Sequence, residues 1–577
     1  MALIAEASCA SQILTARAVA EDMGEVQAAR KGVKSWASCH LQNSERDVQR
    51  TMKNQKTKLD IPVKTIECNG VQVPWISPES WLQWIVKKGL WPTLAGCSPN
   101  DYQGASRNRS QFWENYQKVD PDFELFRIPN TDLSRTAAFL VHGDEGRTLK
   151  RNALMVTSLQ SALGCGYDEQ RVPGQKADTS NLRVNFAGHS FVTRYVVNTM
   201  PKTSYESDPA IFDDAMDHVA KSLRKCFDEG CVDQVRGERF KIVVLGVKGD
   251  APYLVKAAHF YRSYNTMAKR GDERGPPKGV CPYCLAGTNG FPAEDISTSS
   301  PCWLPTVGVK LPWLKRPAFI KHLLHNPSNP TEFFKSDIWH IVHLDFGRSW
   351  VASVVQTALP YLPCQNLEQK WEWLTDDYLR WCRTSKKQAH VSKITAYLMS
   401  YGDTTGAMGQ WSKGALSTNL LQWLVDLLGK IPGDPDGLLA QCRVATYRLN
   451  SLFRLLYRSG AFLTAEQAAF ISDQGLSFLR TYAAMARVMY NAGKQWLFPL
   501  YPKLHVFHHL ILTVRNTASS TGLCCSPMMY GCQMDEDVVG KTSRLSRRVN
   551  IRKVSQRALD RYLVAAFTAY SKAKLLG

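Results

Sequence analysis

Two apolar runs, TAAFLVHGDEG (residues 136–146) and RFKIVVLGVKGD (residues 239–250), have the length and side chains of buried strands, and acids stand at the end of each. Such runs bury both faces of a sheet, so helices must cover it. NALMVTSL (152–159) reads as a second strand. LRVNFAGHSFVTRYVVNTM (182–200), rich in β-branched and aromatic residues, reads as a third, either bent or a hairpin. DPAIFDDAMDHVAKSLRKCFDEG (208–230) is amphipathic, opens with Asp-Pro and closes on Gly, which predicts a helix with both end signals in place. APYLVKAAHFYRSY (251–264) is expected to be helical.

The order is strand, strand, strand, helix, strand, helix. It is the ribonuclease H-like arrangement, in which carboxylates at adjacent strand ends converge. The fold class expected is α/β plus a large all-α portion. Residues 1–70 are polar and basic and are expected to form a loosely ordered leader, followed by a small aromatic-rich helical region over 71–130. The core's first part spans 131–270, a Cys/His segment 271–345 and a helical insertion 346–500. Residues 501–577 complete the core with an acidic motif and a basic C-terminal helix. Within the insertion, Thr464 and Gln467 have capping-box spacing ahead of a long periodic run.

Charge narrows the partner. The formal net charge is +20, which favours a polyanion, nucleic acid ahead of a membrane surface. An ordinary globular balance of 44% hydrophobic and 21% charged residues argues against wholesale disorder. No apolar stretch is long enough to span a bilayer, and a start with Glu6 in its apolar part and no positive leader argues against a secretory signal. Sixteen scattered cysteines, with one pair at ligand spacing, read as a reducing compartment.

Taken singly, Asp144 and Asp250 are ordinary turn or helix-cap acids; Asp250 precedes Ala-Pro, a good helix opening. With Glu536 they acquire a chemical meaning. Two divalent cations about 3.5–4 Å apart need carboxylates from several segments, with sites left for water and phosphate oxygens. CPYC, holding Cys281 and Cys284, has the gap that lets two thiolates reach one tetrahedral Zn²⁺. Its expected partners are His340 and His343, with Cys302 and His259 in reserve, and the expected role is structural. A pair of free buried cysteines, or a redox pair, is the alternative.

YPKLHVFHHL holds His505, His508 and His509, which can position a phosphate, join a metal site or simply pack; Lys503 nearby keeps the phosphate role open. Gly540-Lys541-Thr542 copies the tail of a phosphate loop, but the first glycine such a loop needs is replaced by Asp535, so that reading fails. Residues 541–577 carry ten Lys and Arg against Asp560 alone, so self-repulsion demands an anionic partner or distant acids.

These motifs follow one another as in the DDE transposases of CACTA-like and related elements, which the chain resembles over about residues 135–565. The matching phrases are HGDEGR, GDAP, CPYC, DIWHIVHLDFG (Asp337, His340, Gly347), PKLHVFHH and DEDVVG, the last with Glu536 four residues before Gly540. CQMDEDVVGKTSRLSRRV is similar, more closely, to a multi-copy protein family of dinoflagellate algae. The resemblance implies a ribonuclease H-like core interrupted by a helical domain, with Asp144, Asp250 and Glu536 holding Mg²⁺ or Mn²⁺. Glu145 beside Asp144, and the acids flanking Glu536, are alternative ligands. The function expected is DNA strand transfer or cleavage; the alternative is an inactive, domesticated DNA- or RNA-binding protein with a structural zinc site. Lys503, His505, Arg544, Arg547, Arg548 and Arg552 are the expected phosphate contacts. DNA is the expected partner, with RNA and a second copy of the chain as alternatives, no membrane, and the nucleus as the location.

Overall fold

The computed structural model describes residues 7–22, 31–148, 152–167, 182–266, 278–432 and 437–576. Its sheet begins with a hairpin, β1 (Lys64–Cys68) and β2 (Val71–Trp75), which meets the core strands through Trp75 beside Asn198. The core strands are β3 (Thr136–Arg147), β4 (Ala153–Ser161), β5 (Tyr195–Pro201), β6 (Cys231–Val232), β7 (Arg239–Gly249) and β8 (Phe334–Ser336). The order is β1-β2-β5-β4-β3-β7-β6, with β8 also on β7. β4 runs antiparallel to β3 and β5, whereas β3–β7 and β7–β8 are parallel. The third strand expected over 182–200 is shorter, because only its C-terminal end joins the ladder.

Helices cover this sheet for reasons visible locally. Three short N-terminal helices come first: α1 (Cys9–Asp22), α2 (Lys31–Ala37) and α3 (Ser44–Asn54). Next are α4 (Pro78–Lys87) and α5 (Tyr102–Val119), and then the long crossover helix α6 (Pro209–Asp228). Asp208 caps α6 by accepting from the Ala210 amide at 3.0 Å, and Pro209 supplies the preset first turn. Ile211, Phe212, Ala215, Met216, Val219 and Leu223 recur on one face and are buried on the sheet. At about 1.5–3 kcal/mol for each large apolar side chain, that face outweighs any single cap.

α7 (Ala251–Ala257) is half the length its sequence suggested, and α8 (Ile338–Ile341) is a single turn. The helical portion follows: α9 (Gly347–Ala358), α10 (Leu367–Thr384), α11 (Gly414–Lys430), α12 (Leu438–Arg458) and α13 (Ala465–Asn491). The Thr464–Gln467 capping box opens α13. Fully buried Trp350 anchors this part. Its ring lies 5.0 Å from Phe478 and 5.3 Å from Phe498, and its Nε1 donates to Thr446 Oγ1 at 2.9 Å. A two-stranded ribbon, β9 (Phe462–Thr464) with β10 (Leu523–Cys525), ties it to α14 (Pro502–Thr521).

The last stretch is two helices rather than one, α15 (Gln533–Leu545) and α16 (Val554–Lys572), because the chain goes extended at Val549 (φ −123°, ψ 148°). The leader expected to be loosely ordered carries α1–α3, whose Ile13, Val48 and Met52 bury against Val564 of α16. Glu45 accepts from Arg561 at 2.7 Å, so part of the basic C-terminal charge is met by a distant acid. Among the described residues no helix is long and apolar enough to cross a membrane.

Candidate functional site

Strand register builds the site. Gly143 of β3 pairs with Gly249 of β7, and Gly249 pairs with Ser336 of β8. The next residue on each segment is an acid: Asp144, Asp250 and Asp337. Three carboxylates therefore leave the same edge of three parallel neighbours, where open α/β sheets place their ligands. The fourth acid comes from α15. Gly146 lets that helix close on β3, since a Cβ at 146 would stand 1.8 Å from Ser543 Oγ and 2.9 Å from Val539 Cγ1. Glu536 then comes against Asp144, and its Oε1 lies 3.5 Å from His340 Nε2.

The neighbouring acids are spent elsewhere. Successive side chains alternate across a strand, which turns Glu145 away from Asp144. It accepts from Tyr205 Oη at 2.8 Å, pairs with Lys256, and lies 3.5 Å from Lys202 Nζ. Burial works against its ionisation, but the hydrogen bonds from Lys256 and Tyr205 outweigh that and lower its pKa. Asp535 is fully buried 2.7 Å from Lys248 Nζ and 3.5 Å from Arg194 Nε. Asp537 is held by Ser190 and Lys541. Asp144 and Glu536 are left facing one another across the cluster.

Crowding sets the electrostatics. Burial and then the charge of Asp144 push the Glu536 carboxyl far above its ordinary range. Burial and Asp144 raise Asp250 as well. Asp250 also caps α7, with Oδ1 accepting from the Tyr253 amide at 2.8 Å, so the structural role of this acid is filled by one oxygen. Burial alone would lower His340, but its hydrogen bond to Asp337 and the charges of Asp337, Asp250 and Asp144 raise it. Like-charged carboxyls pressed together in this way are relieved by a bound cation.

A second cluster lies nearby. Cys281, Cys284 and His505 are buried with their ligand atoms within 4.8 Å of one another, close enough to share a metal ion. Cys284 Sγ and His505 Nε2 are 3.3 Å apart. The hydrogen bond from Cys284 and the charge of His505 overcome burial and lower the Cys281 thiol, while Cys284 itself is raised chiefly by that same bond. Two buried sulfurs with a histidine nitrogen within reach are donors that suit a cation. Another nitrogen stands one helical turn from His505: His509 Nε2 is buried without a hydrogen-bond partner, and its ring stacks on Trp303 at 5.4 Å. Asp337, His340 and Cys532 form a further group able to hold an ion.

The residues expected at the cysteines are elsewhere. His340 stands among the acids. His343 is fully buried, packs edge-on against Phe453 at 4.5 Å, and burial lowers its pKa to about 4. The α turn ends at Ile341 and a π turn runs over Val342–Phe346, so the regular three-residue spacing that would put both on one face is broken between them. Cys302 is exposed and His259 lies 3.6 Å from Asp213. Of the expected phosphate contacts, Arg544, Arg547 and Arg552 are exposed, and the side chain of Arg548 lies outside the described residues. Lys503 is paired with Asp345 at 2.9 Å, and buried His505 belongs to the cysteine cluster instead. Asp337 was named only within a matching motif and given no role, and Lys248 was missed as a site residue. The two-residue offset of Lys248 from Asp250 on one strand was the available signal for the latter. The chain matches no family model, and no curated protein is similar to it.

Proposed function

We propose that this chain is a metal-dependent enzyme acting on phosphodiesters of DNA, a strand transferase or nuclease of transposase descent. The carrying observation is the meeting of Asp144, Asp250 and Glu536 from three separate segments, with Asp337 and His340 beside them. The strand order and the two antiparallel and two parallel pairings around β3 support a ribonuclease H-like core, interrupted between β8 and α15 by the helical portion.

Asp144, Asp250 and Glu536 would hold Mg²⁺ or Mn²⁺, which supplies an activated oxygen nucleophile and stabilises the leaving oxygen. Buried Lys248 and Arg194 fix Asp535, and with it the helix turn that presents Glu536. Arg544 lies two turns beyond Glu536 on α15, with Gly540 between them; a Cβ at 540 would meet only the Arg544 guanidinium, at 3.9 Å. Exposed Arg544, Arg547 and Arg552, on the stretch that follows the acids, would grip phosphates by charge. Zn²⁺ is the fitting ion for Cys281, Cys284, His505 and His509, by donor type and by the i, i+4 spacing of the two histidines. It would fasten the segment around residue 283 to α14 and so support α8. A net charge of +20 fits a nuclear, DNA-bound setting.

Nicking of supercoiled DNA with Mg²⁺ or Mn²⁺ tests the reading. Asp250→Asn should reduce it at least a hundredfold; undiminished nicking overturns the catalytic assignment. Salt-sensitive DNA binding without nicking in the wild type would instead favour a non-catalytic binding protein.

A further inference from the structure

Resting on that reading of the acids, we infer that His340 is a nitrogen ligand of the divalent ion they hold, oriented for that task by Asp337. Its geometry is that of a carboxylate–histidine–metal relay. His340 Nδ1 donates to Asp337 Oδ2 at 2.6 Å, while Asp337 Oδ1 accepts from the Trp339 amide at 2.8 Å. Asp337 is itself fully buried at the end of β8, so it cannot turn aside. With Nδ1 committed, Nε2 is the ring nitrogen that faces Glu536 Oε1, 3.5 Å away. That carboxylate oxygen is buried and has no hydrogen-bond partner.

The spacing fits a shared ion. Two donors each about 2.1–2.2 Å from one metal, at angles of about 90–110°, stand roughly 3.0–3.6 Å apart. A hydrogen bond between the same atoms would be shorter, near 2.8 Å. Metal-bound histidines almost always pass their other ring N–H to a carboxylate, and losing that carboxylate weakens the metal by about ten- to a hundredfold. The competing role for His340 is that of a counter-ion, an imidazolium that only balances the acids.

A nitrogen donor has a chemical consequence. Imidazole is a ligand for first-row transition metals, Mn²⁺ included as the weakest of them, whereas Mg²⁺ keeps to oxygen. The centre should therefore take Mn²⁺ at least tenfold more tightly than Mg²⁺, and His340→Gln should narrow the difference.

The test uses the full-length, zinc-loaded protein with Mn²⁺ as the probe. Pulsed electron paramagnetic resonance should detect ¹⁴N coupling to the bound Mn²⁺ in the wild type and in Asp337→Asn, and lose it in His340→Gln. Calorimetry should show Mn²⁺ affinity falling about tenfold or more in both variants, with Mg²⁺ affinity in His340→Gln within about twofold of wild type. Mn²⁺ that binds in an Asp250-dependent way but shows no ¹⁴N coupling overturns the ligand assignment and leaves the acidic centre standing. Mn²⁺ binding indifferent to Asp250→Asn overturns the centre and the ligand assignment with it. The wild-type spectrum decides the first question even if a variant fails to fold.

Discussion

Lys248 Nζ lies 2.7 Å from Asp535 Oδ2, and both side chains are closed off from solvent. The pair joins β7, two residues before Asp250, to α15, one residue before Glu536. It is the bolt between the two elements that carry the acids.

Cutting one half of that bolt should be costly. Asp535→Asn is expected to destabilise the protein by about 3–5 kcal/mol, because Lys248 and Arg194 would be left charged and underpaired in the interior. Replacing Lys248 and Asp535 together by Met and Leu should cost much less. Urea unfolding of the three proteins measures the difference.

The same carboxyl sets an acid limb. Burial opposes ionisation of Asp535, yet Lys248, Arg194 and His142 hold its pKa down to about 2. The unfolded value is near 3.9, so the folded state binds fewer protons between the two. The stabilisation, of order 2–3 kcal/mol, is full above about pH 4 and lost as pH falls toward 2. The stability gap between wild type and Asp535→Asn should shrink across that window.

Glu536 works in the opposite direction. Its raised pKa means the folded protein holds a proton that the unfolded chain releases, so metal-free stability falls as pH rises past about 4.3. Glu536→Gln should therefore raise the metal-free melting temperature at pH 7. It should also abolish the further rise on adding Mn²⁺, which thermal scans with and without the ion would show.

Zinc content separates the two histidine pairs. Cys281→Ser and His509→Ala should lose bound zinc, whereas His343→Ala should keep it and lose only core packing. Atomic absorption on the purified proteins checks this; zinc retained in His509→Ala would remove that residue from the set.

DNA binding should divide the arginines. Arg544→Ala with Arg547→Ala is expected to lower the slope of log affinity against log salt by roughly 2, at about 0.9 per phosphate contact. Arg561 is buried and paired with Glu45, so Arg561→Ala should destabilise the fold and leave the slope unchanged.

Much of this was legible in the sequence. The strands at 136–147 and 239–249, the Asp208-Pro209 helix start and the Thr464–Gln467 box each rest on local rules, and each appears where those rules put it. The choice of Asp144 over Glu145 was not legible, because it depends on which strand face Gly146 opens to α15. Nor was the division of histidines between two clusters. Spacing favoured His340 and His343, but the passage from an α turn to a π turn between them and the burial of α14 beside CPYC reversed the outcome. The leader's helices were hidden for a related reason: their few apolar residues pair with α16, at the far end of the chain.

The pairing of Gly143, Gly249 and Ser336 in one line has a further consequence. β8 is three residues long, and a slip of one position would swing Asp337 to the other side of the sheet. His340 would lose its rein, and the acids their nitrogen neighbour. Affinity for Mn²⁺ would then report whether a folding chain had closed in the right frame, a proofreading signal that ordinary spectroscopy of helix content would overlook.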